Sequence, residues 1–342
     1  MKKKILLIDP VGRTRGMERW HQNFFALTSK VFRVEIFGNY DSDFVRQKFI
    51  YDKDKKGASL RSIFSFAFAR LPKDADRVVL AHYGESLNTL LFLPAILRYK
   101  RNQRFLLIHD AVSTLKNERK GIRSKMGHFA NKLLMKAFDN LIVHNKSVSE
   151  LFPGKSVTFL PLPPAISSHA AVKVPATGSY IFWGFIKRSK NVEFVIDLAS
   201  RMPEKTFDVY GTFINEEYKA AFNERVKTLE VKNLRFYEFF IPESEVDEVL
   251  SRYDAVLMPY TFITNSGILQ TNADYCAVSV TSDLAAFKVC SDISINLPLE
   301  VEIWKDWLAS LDSERLLAEK TRITLGNEKR ASDFIEGLKQ LG

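Results

Sequence analysis

Short apolar runs alternate with helical periodicity along almost the whole chain. In the first half the runs are Ile5–Ile8, Phe32–Phe37, Val78–Ala81, Phe105–Ile108, Leu141–Val143 and Val157–Leu160. Between most of them the apolar positions fall at helical spacing, as in Met17–Leu27, Leu87–Leu97 and Ser124–Phe138. This rhythm predicts strands joined by crossover helices, that is, a parallel, doubly wound sheet. In the second half the rhythm starts again, with runs at Tyr180–Trp183, Phe207–Tyr210, Leu234–Tyr237, Ala255–Tyr260, Ala277–Val280 and Ile293–Leu297. Between the halves, Pro161-Leu162-Pro163-Pro164 and the small residues up to Gly178 show weak periodicity and predict a linker, with the boundary near residues 163–178. Helical patterns close the chain from Glu300 to Leu341. The organisation expected is an α/β domain over residues 1–165, a second over 175–325, and a closing helix over 326–342 that crosses back to the first.

The chain length, 342 residues, suits two domains, and an apolar share of 46% provides for a sizeable core. The net charge of +10 implies an anionic partner: a nucleotide, nucleic acid or an anionic membrane face. No nucleic-acid module signature is present, which argues against nucleic acid. Cys276 and Cys290 are the only cysteines, which fits a reducing compartment. The basic start Met1-Lys2-Lys3-Lys4 is followed by an apolar run too short for a signal peptide, and Leu87–Leu97, which contains Pro94, is too short for a membrane span. The expected location is cytoplasmic, with any membrane contact peripheral.

Ligands of open α/β sheets bind at the carboxyl ends of the strands, so the residues there carry the candidate chemistry. In the first half these ends hold Asp9, Gly38, His82, the pair His109-Asp110, and His144-Asn145; three of the six histidines fall there. Each has a structural reading, as a satisfied core residue, beside the functional one. The loop after the first run carries Gly12, Arg13, Arg15 and Gly16, which suit an anionic ligand, although the dinucleotide spacing G-x-G-x-x-G is absent and the plainer reading is an ordinary βα loop. In the second half Tyr180-Ile181-Phe182-Trp183 stops at Gly184 and opens into Lys187-Arg188-Ser189-Lys190 before a helical pattern. A strand, a basic turn and a helix start can hold a phosphate; the plainer reading is a solvated surface turn. A second such turn, Thr264-Asn265-Ser266-Gly267, follows the run that ends at Tyr260. Gly184 and Gly211 are read as strand ends where a ligand approaches backbone. Two phosphate-binding turns in one domain suggest a diphosphate gripped from two sides. No Cys-x-x-Cys or His-Glu-x-x-His spacing occurs, so neither a metal nor another cofactor is expected.

These residues resemble those of the GT-B glycosyltransferases, nearest the bacterial nucleotide-sugar transferases of surface polysaccharide synthesis. The segment Gly184-Phe185-Ile186-Lys187-Arg188-Ser189-Lys190-Asn191 is similar to that family's Gly-x-Ile-Arg-x-x-Lys-Gly/Asn; Pro259-Tyr260 and Ser266-Gly267-Ile268-Leu269 match its Pro-Tyr and Ser-Gly-Val-Leu. The resemblance implies two Rossmann-like domains facing a cleft, an N-terminal acceptor domain and a C-terminal nucleotide-sugar domain. Gly184, Lys187, Lys190, Gly211, Tyr260, Ser266 and Gly267 would bind the donor. His109 or Asp110 would serve the chemistry, with Gly12, Arg13, Arg15, Gly16 and His82 on the acceptor side. The partners implied are a nucleotide sugar and a glycan or lipid-linked saccharide. Three departures stand out. The paired glutamates of many relatives are replaced by Thr264 and Asn272, Leu284-Ala285-Ala286-Phe287 stands in place of the usual glycine-rich stretch after Ser282-Asp283, and Lys187 stands where arginine is usual. The rival reading is a non-catalytic relative that supports a partner enzyme.

Basic residues also cluster from Arg98 to Lys136, around the helical pattern Lys125–Phe138. A basic amphipathic patch of this kind suits an anionic lipid surface; the alternative is a core-facing helix with a solvated basic side.

Overall fold

A computed structural model describes residues 2–10, 17–38, 42–47, 71–82, 89–90, 92–109, 122–166, 171–172 and 174–342. Its contacts divide the chain into two units, Met1–Ile166 with Ala331–Gly342, and Ser167–Arg330.

Among the described residues the first unit has seven parallel strands: β1 (Lys4–Ile8), β2 (Arg33–Gly38), β3 (Val45–Gln47), β4 (Arg77–His82), β5 (Arg104–Ile108), β6 (Asn140–Val143) and β7 (Ser156–Phe159). Their order is β3-β2-β1-β4-β5-β6-β7, so the winding reverses at β1 and β4. The uninterrupted apolar runs are explained by cover on both faces. On one face, Leu6, Ile8, Leu80, Leu106, Ile108 and Val143 share a core with α2 (Leu93–Ile96) and α3 (Ile122–Ala137). On the other, Ile5, Leu7, Val79, Leu107 and Ile142 pack with Trp20 and Phe24 of α1 (Met17–Thr28) and with Phe334 and Leu338 near the C-terminus.

The second unit is built the same way. Its strands are β8 (Ser179–Ile186), β9 (Thr206–Phe213), β10 (Leu234–Tyr237), β11 (Ala255–Met258), β12 (Ser279–Ser282) and β13 (Ile295–Leu297), in the order β10-β9-β8-β11-β12-β13. All pairings are parallel, and the winding reverses at β8 and β11. Helices α4 (Glu193–Arg201), α5 (Glu216–Thr228), α6 (Val246–Leu250), α7 (Gly267–Asp274), α8 (Ala285–Lys288) and α9 (Val301–Ala309) follow in turn. A long last helix, α10, runs from Ser313 to Lys339. The start of β8 is pinned by the buried carboxylate of Asp254, which accepts from the N–H of Gly178 at 2.6 Å and of Thr177 at 3.0 Å.

Two expectations need correction, and one strand was not foreseen. Strand β3 has no apolar run to announce it; a three-residue edge strand needs only Val45 buried, and the hydroxyl of Ser42 accepts that residue's N–H at 3.0 Å. The run expected to stop at Tyr260 leaves the sheet at Met258, because Pro259 has no N–H to donate. Gly184 and Gly211 are not strand ends. They pair with each other inside the longest strands, which continue to Ile186 and Phe213. Among the described residues, no helix is long and apolar enough to cross a membrane.

Candidate functional site

Sheets of this kind bind ligands where the winding reverses, which in the second unit is at the carboxyl ends of β8 and β11. The chain leaving β8 makes one turn of 3-10 helix at Arg188–Lys190, closed by the N–H of Lys190 on the carbonyl of Lys187 at 2.7 Å. Asn191 then takes a left-handed conformation, φ 51°, before α4 begins. The loop after β11 meets this turn directly. The N–H of Thr261 donates to the carbonyl of Ser189 at 3.0 Å, and the Lys190 ammonium lies 3.5 Å from the centre of the Tyr260 ring.

Lys190 is therefore a buried cation, 8% exposed, resting on a buried aromatic face. Burial first, and the neighbouring Lys187 second, push its pKa down to about 7. The ring face acts in the opposite sense, since its quadrupole favours the charged form by roughly 2 kcal/mol when desolvated. Lys187 is exposed at the mouth of the turn. Tyr260 serves as the platform under Lys190; burial also raises the pKa of its hydroxyl.

Ser266 caps α7, its hydroxyl accepting from the N–H of Leu269 at 3.1 Å. The first N–H groups of the helix, at Gly267 and Ile268, have no acceptor within it, and the space where a side chain would stand on Gly267 is open. The two strand glycines serve packing. A Cβ on Gly184 (φ 117°) would lie 2.5 Å from Cδ1 of Ile268, and one on Gly211 (φ 156°) 1.9 Å from the carbonyl oxygen of Gly184. Their absence lets α7 and β9 close on β8, which brings the helix start to the basic turn.

Beside the turn lies an aromatic shelf; the sequence places Phe239 and Phe240 at a strand end but assigns none of its residues a role. Tyr210 and Tyr237, opposite each other on β9 and β10, stack at 4.3 Å, and Phe239 stands edge-on to Tyr210 at 5.6 Å. The carboxylate of Asp208 holds this face from below, taking two bonds from Arg235 at 2.7 and 2.8 Å and one from the Tyr253 hydroxyl at 2.5 Å. Phe185 packs against Phe240 at 4.6 Å, and Phe185 and Phe239 remain about half exposed, at 54% and 50%. Aromatic residues in strands read as core, so only their exposure reveals them.

The two positions at which the family resemblance implies glutamate are now interpretable. Asn272 is fully buried, accepts from the Trp183 indole N–H at 3.1 Å and donates to the hydroxyl of Ser279 at 2.9 Å. It ties α7 to β8 and β12. Thr264 is half-buried in the loop.

In the first unit the strand ends gather histidines. His21 of α1 is hydrogen-bonded through Nε2 to the carboxylate of Asp9 at 2.7 Å, both fully buried. The ring of Trp20 stands edge-on to His109 at 4.9 Å and to His144 at 6.0 Å, and His109 lies 4.8 Å from His144. His82 is buried, with Nδ1 against the Thr89 hydroxyl at 3.1 Å. Desolvation, then the neighbouring His144, His21 and His82, hold His109 well below the ordinary histidine range, so it is neutral near pH 7. Trp20 and His21 went unseen in the sequence because on α1 they occupy ordinary core positions. Asp110, Gly12, Arg13, Arg15 and Gly16 lie outside the described residues. Among the described residues, no group of three or more His, Cys, Asp or Glu side chains is placed to hold a metal ion.

No family model and no curated protein matches the sequence. Solved structures do match in fold. The chain is similar to Anabaena Alr3699/HepE in complex with UDP and glucose, at TM-score 0.71 and 12% identity, covering 99% of this chain and 98% of that one. It is similar to a glycosyltransferase from Rickettsia africae, at TM-score 0.63 and 10% identity over 99% and 96%. It is also similar to the lipopolysaccharide outer core galactosyltransferase WaaB, at TM-score 0.59 and 14% identity over 98% and 99%. Two parallel-sheet, Rossmann-like units with these neighbours define the GT-B fold.

Proposed function

We propose that the chain is a glycosyltransferase that moves a sugar from a nucleoside-diphosphate sugar to the hydroxyl of a glycan or lipid-linked saccharide, in surface polysaccharide synthesis. The observation that carries this reading is Lys190, a buried cation where the loops after β8 and β11 meet. A buried ammonium beside a second lysine and a helix start is an unfavourable arrangement until an anion arrives. The fold supports the reading too, since structures of HepE are described in complex with UDP and with UDP-glucose.

In the reaction the bond between the sugar carbon and the diphosphate oxygen breaks, and the acceptor oxygen bonds to that carbon and loses its proton. Negative charge grows on the diphosphate. Lys190, Lys187 and the N–H groups at Gly267 and Ile268 meet it without reorganising. The acceptor falls to the first unit, where neutral His109 orients a hydroxyl by hydrogen bonding and His82 lines the same strand ends. Asp110 is the candidate base, and the loop Gly12, Arg13, Arg15 and Gly16 contacts the acceptor.

The aromatic shelf gives the nucleoside base a surface to lie on. Phe239→Ala is expected to weaken UDP-glucose binding by roughly 5- to 100-fold, the usual range for one lost base-stacking contact. Inhibition by inorganic diphosphate should stay unchanged. Equal loss for both ligands would remove the base from the shelf.

A second reading, a non-catalytic relative, is favoured by the placement of Asn272, which is committed to Trp183 and Ser279 where the family resemblance implies a carboxylate. Release of nucleoside diphosphate from a panel of donor sugars, by transfer or hydrolysis, separates the two. Release by the native chain and not by Lys190→Met supports the enzyme. Binding without release supports the alternative.

A further inference from the structure

The outer face of α3 combines two features that seldom share one arc of a helix. Phe129 is 62% exposed and Leu133 37% exposed, one turn apart. Lys132 and Lys136, also one turn apart, are exposed, and neither has an ion-pair partner among the described residues. At 3.6 residues per turn these four side chains fall within about 100° of arc. The opposite side of the helix carries Ala130 and Leu134, both buried, with buried Phe138 just beyond its end. Single exposed apolar residues are ordinary on protein surfaces. Here the helix already has a core-facing side, and the second apolar pair, flanked by lysines, joins neither core of this unit among the described residues.

The same core lies under α2 and α3, so both look out from the same side of the sheet. Leu97, just past the end of α2, is 47% exposed, and Lys100 is exposed beyond it. Arg101 reaches the C-terminal end of α3, donating to the carbonyl of Lys136 at 3.5 Å and to the carboxylate of Asp139 at 2.8 Å. The surface around Phe129 and Leu133 is thus bordered by cations.

We infer that this face docks on an anionic phospholipid surface, Phe129 and Leu133 entering the headgroup boundary and Lys132, Lys136 and Lys100 meeting lipid phosphates. Charge complementarity selects this occupant. A second copy of the chain meeting it about a twofold axis would set lysine against lysine. The inference stands apart from the proposed transfer reaction and needs no donor to test.

The test is sedimentation of the full chain with neutral phosphatidylcholine vesicles and with vesicles containing phosphatidylglycerol, at low and high salt. The native chain should bind the anionic vesicles, and salt should weaken that binding. Lys132→Ala with Lys136→Ala should lower the partition coefficient roughly 25-fold, at about fivefold per charge. Phe129→Ala with Leu133→Ala should lower it about tenfold. A control pair with the same change in net charge, Lys227→Ala with Lys232→Ala, should change it less than twofold. All four substituted side chains on α3 are exposed, so native melting temperatures are expected; if the apolar pair misfolds, the lysine pair decides alone. Equal binding to both vesicle types, or none, would overturn the inference. So would a control pair as damaging as the α3 pair, or an apolar variant that alters self-association and leaves vesicle binding intact.

Discussion

Replacing Lys190 by methionine should lower turnover on the order of 10²–10³-fold, the usual loss for one transition-state donor, while making the folded protein more stable at pH 6. The second effect follows from linkage. In the unfolded chain the lysine titrates at its ordinary value of 10.5, and in the folded chain at about 7. Below pH 7 both states carry the proton, so the full cost of burying the charge is present. Between those two values the unfolded state binds more protons, and native stability rises with pH. Above 10.5 both states are neutral and the cost is gone. The 3.5 units between these values correspond to about 5 kcal/mol, and the Tyr260 face offsets roughly 2 kcal/mol of that. Methionine, similar in volume and uncharged, should therefore raise Tm by about 5–10 °C at pH 6, and the gain should vanish above pH 10.5. Calorimetric melts at several pH values, read beside turnover, check both parts. A variant that loses turnover and gains no stability would mean that the native ammonium is not held in a dry site.

Gly211→Ala should destabilise the second unit by about 3 kcal/mol or more, lowering Tm by about 10 °C. The added carbon would lie 1.9 Å from a backbone oxygen, and the residue sits at φ 156°. Backbone atoms cannot rotate aside as a side chain can, so β9 must move away from β8. Gly184→Ala meets the tip of Ile268, which can turn, and should cost less. A denaturant series on both variants tests the order. Equal stabilities would show that the strands tolerate separation at this point.

The doubly wound architecture was legible because every buried parallel strand needs an unbroken apolar run and every crossover needs an amphipathic helix. The basic turn was legible for the same reason: Lys187 and Lys190 follow a strand and precede a helix. Function within the turn was not. Nothing in the order of residues says that Lys190 turns inward onto Tyr260 while Lys187 faces water, since that depends on a contact made across seventy positions. The glycines misled for a related reason. A glycine after an apolar run reads as a strand end, whereas Gly184 and Gly211 sit opposite each other and let two strands approach. The histidines at the ends of β4, β5 and β6 could be seen as strand-end residues, but the packing of His109 and His144 against Trp20 required the register of the sheet and the position of α1. Asn272 was visible only as a departure from the family pattern; its bonds to Trp183 and Ser279 explain why an amide suits that place.

The central claim is that the loops after β8 and β11 bind a diphosphate through Lys190. Titration calorimetry with UDP-glucose tests it most directly, performed at pH 8 in two buffers of different ionisation enthalpy, because the donor's phosphates do not titrate near neutrality. The free protein holds Lys190 partly neutral at that pH, and a bound diphosphate favours the ammonium. The account predicts binding with net proton uptake by the native chain, and weak binding with no uptake by Lys190→Met. Binding of equal strength in both, with the same proton count, would contradict it.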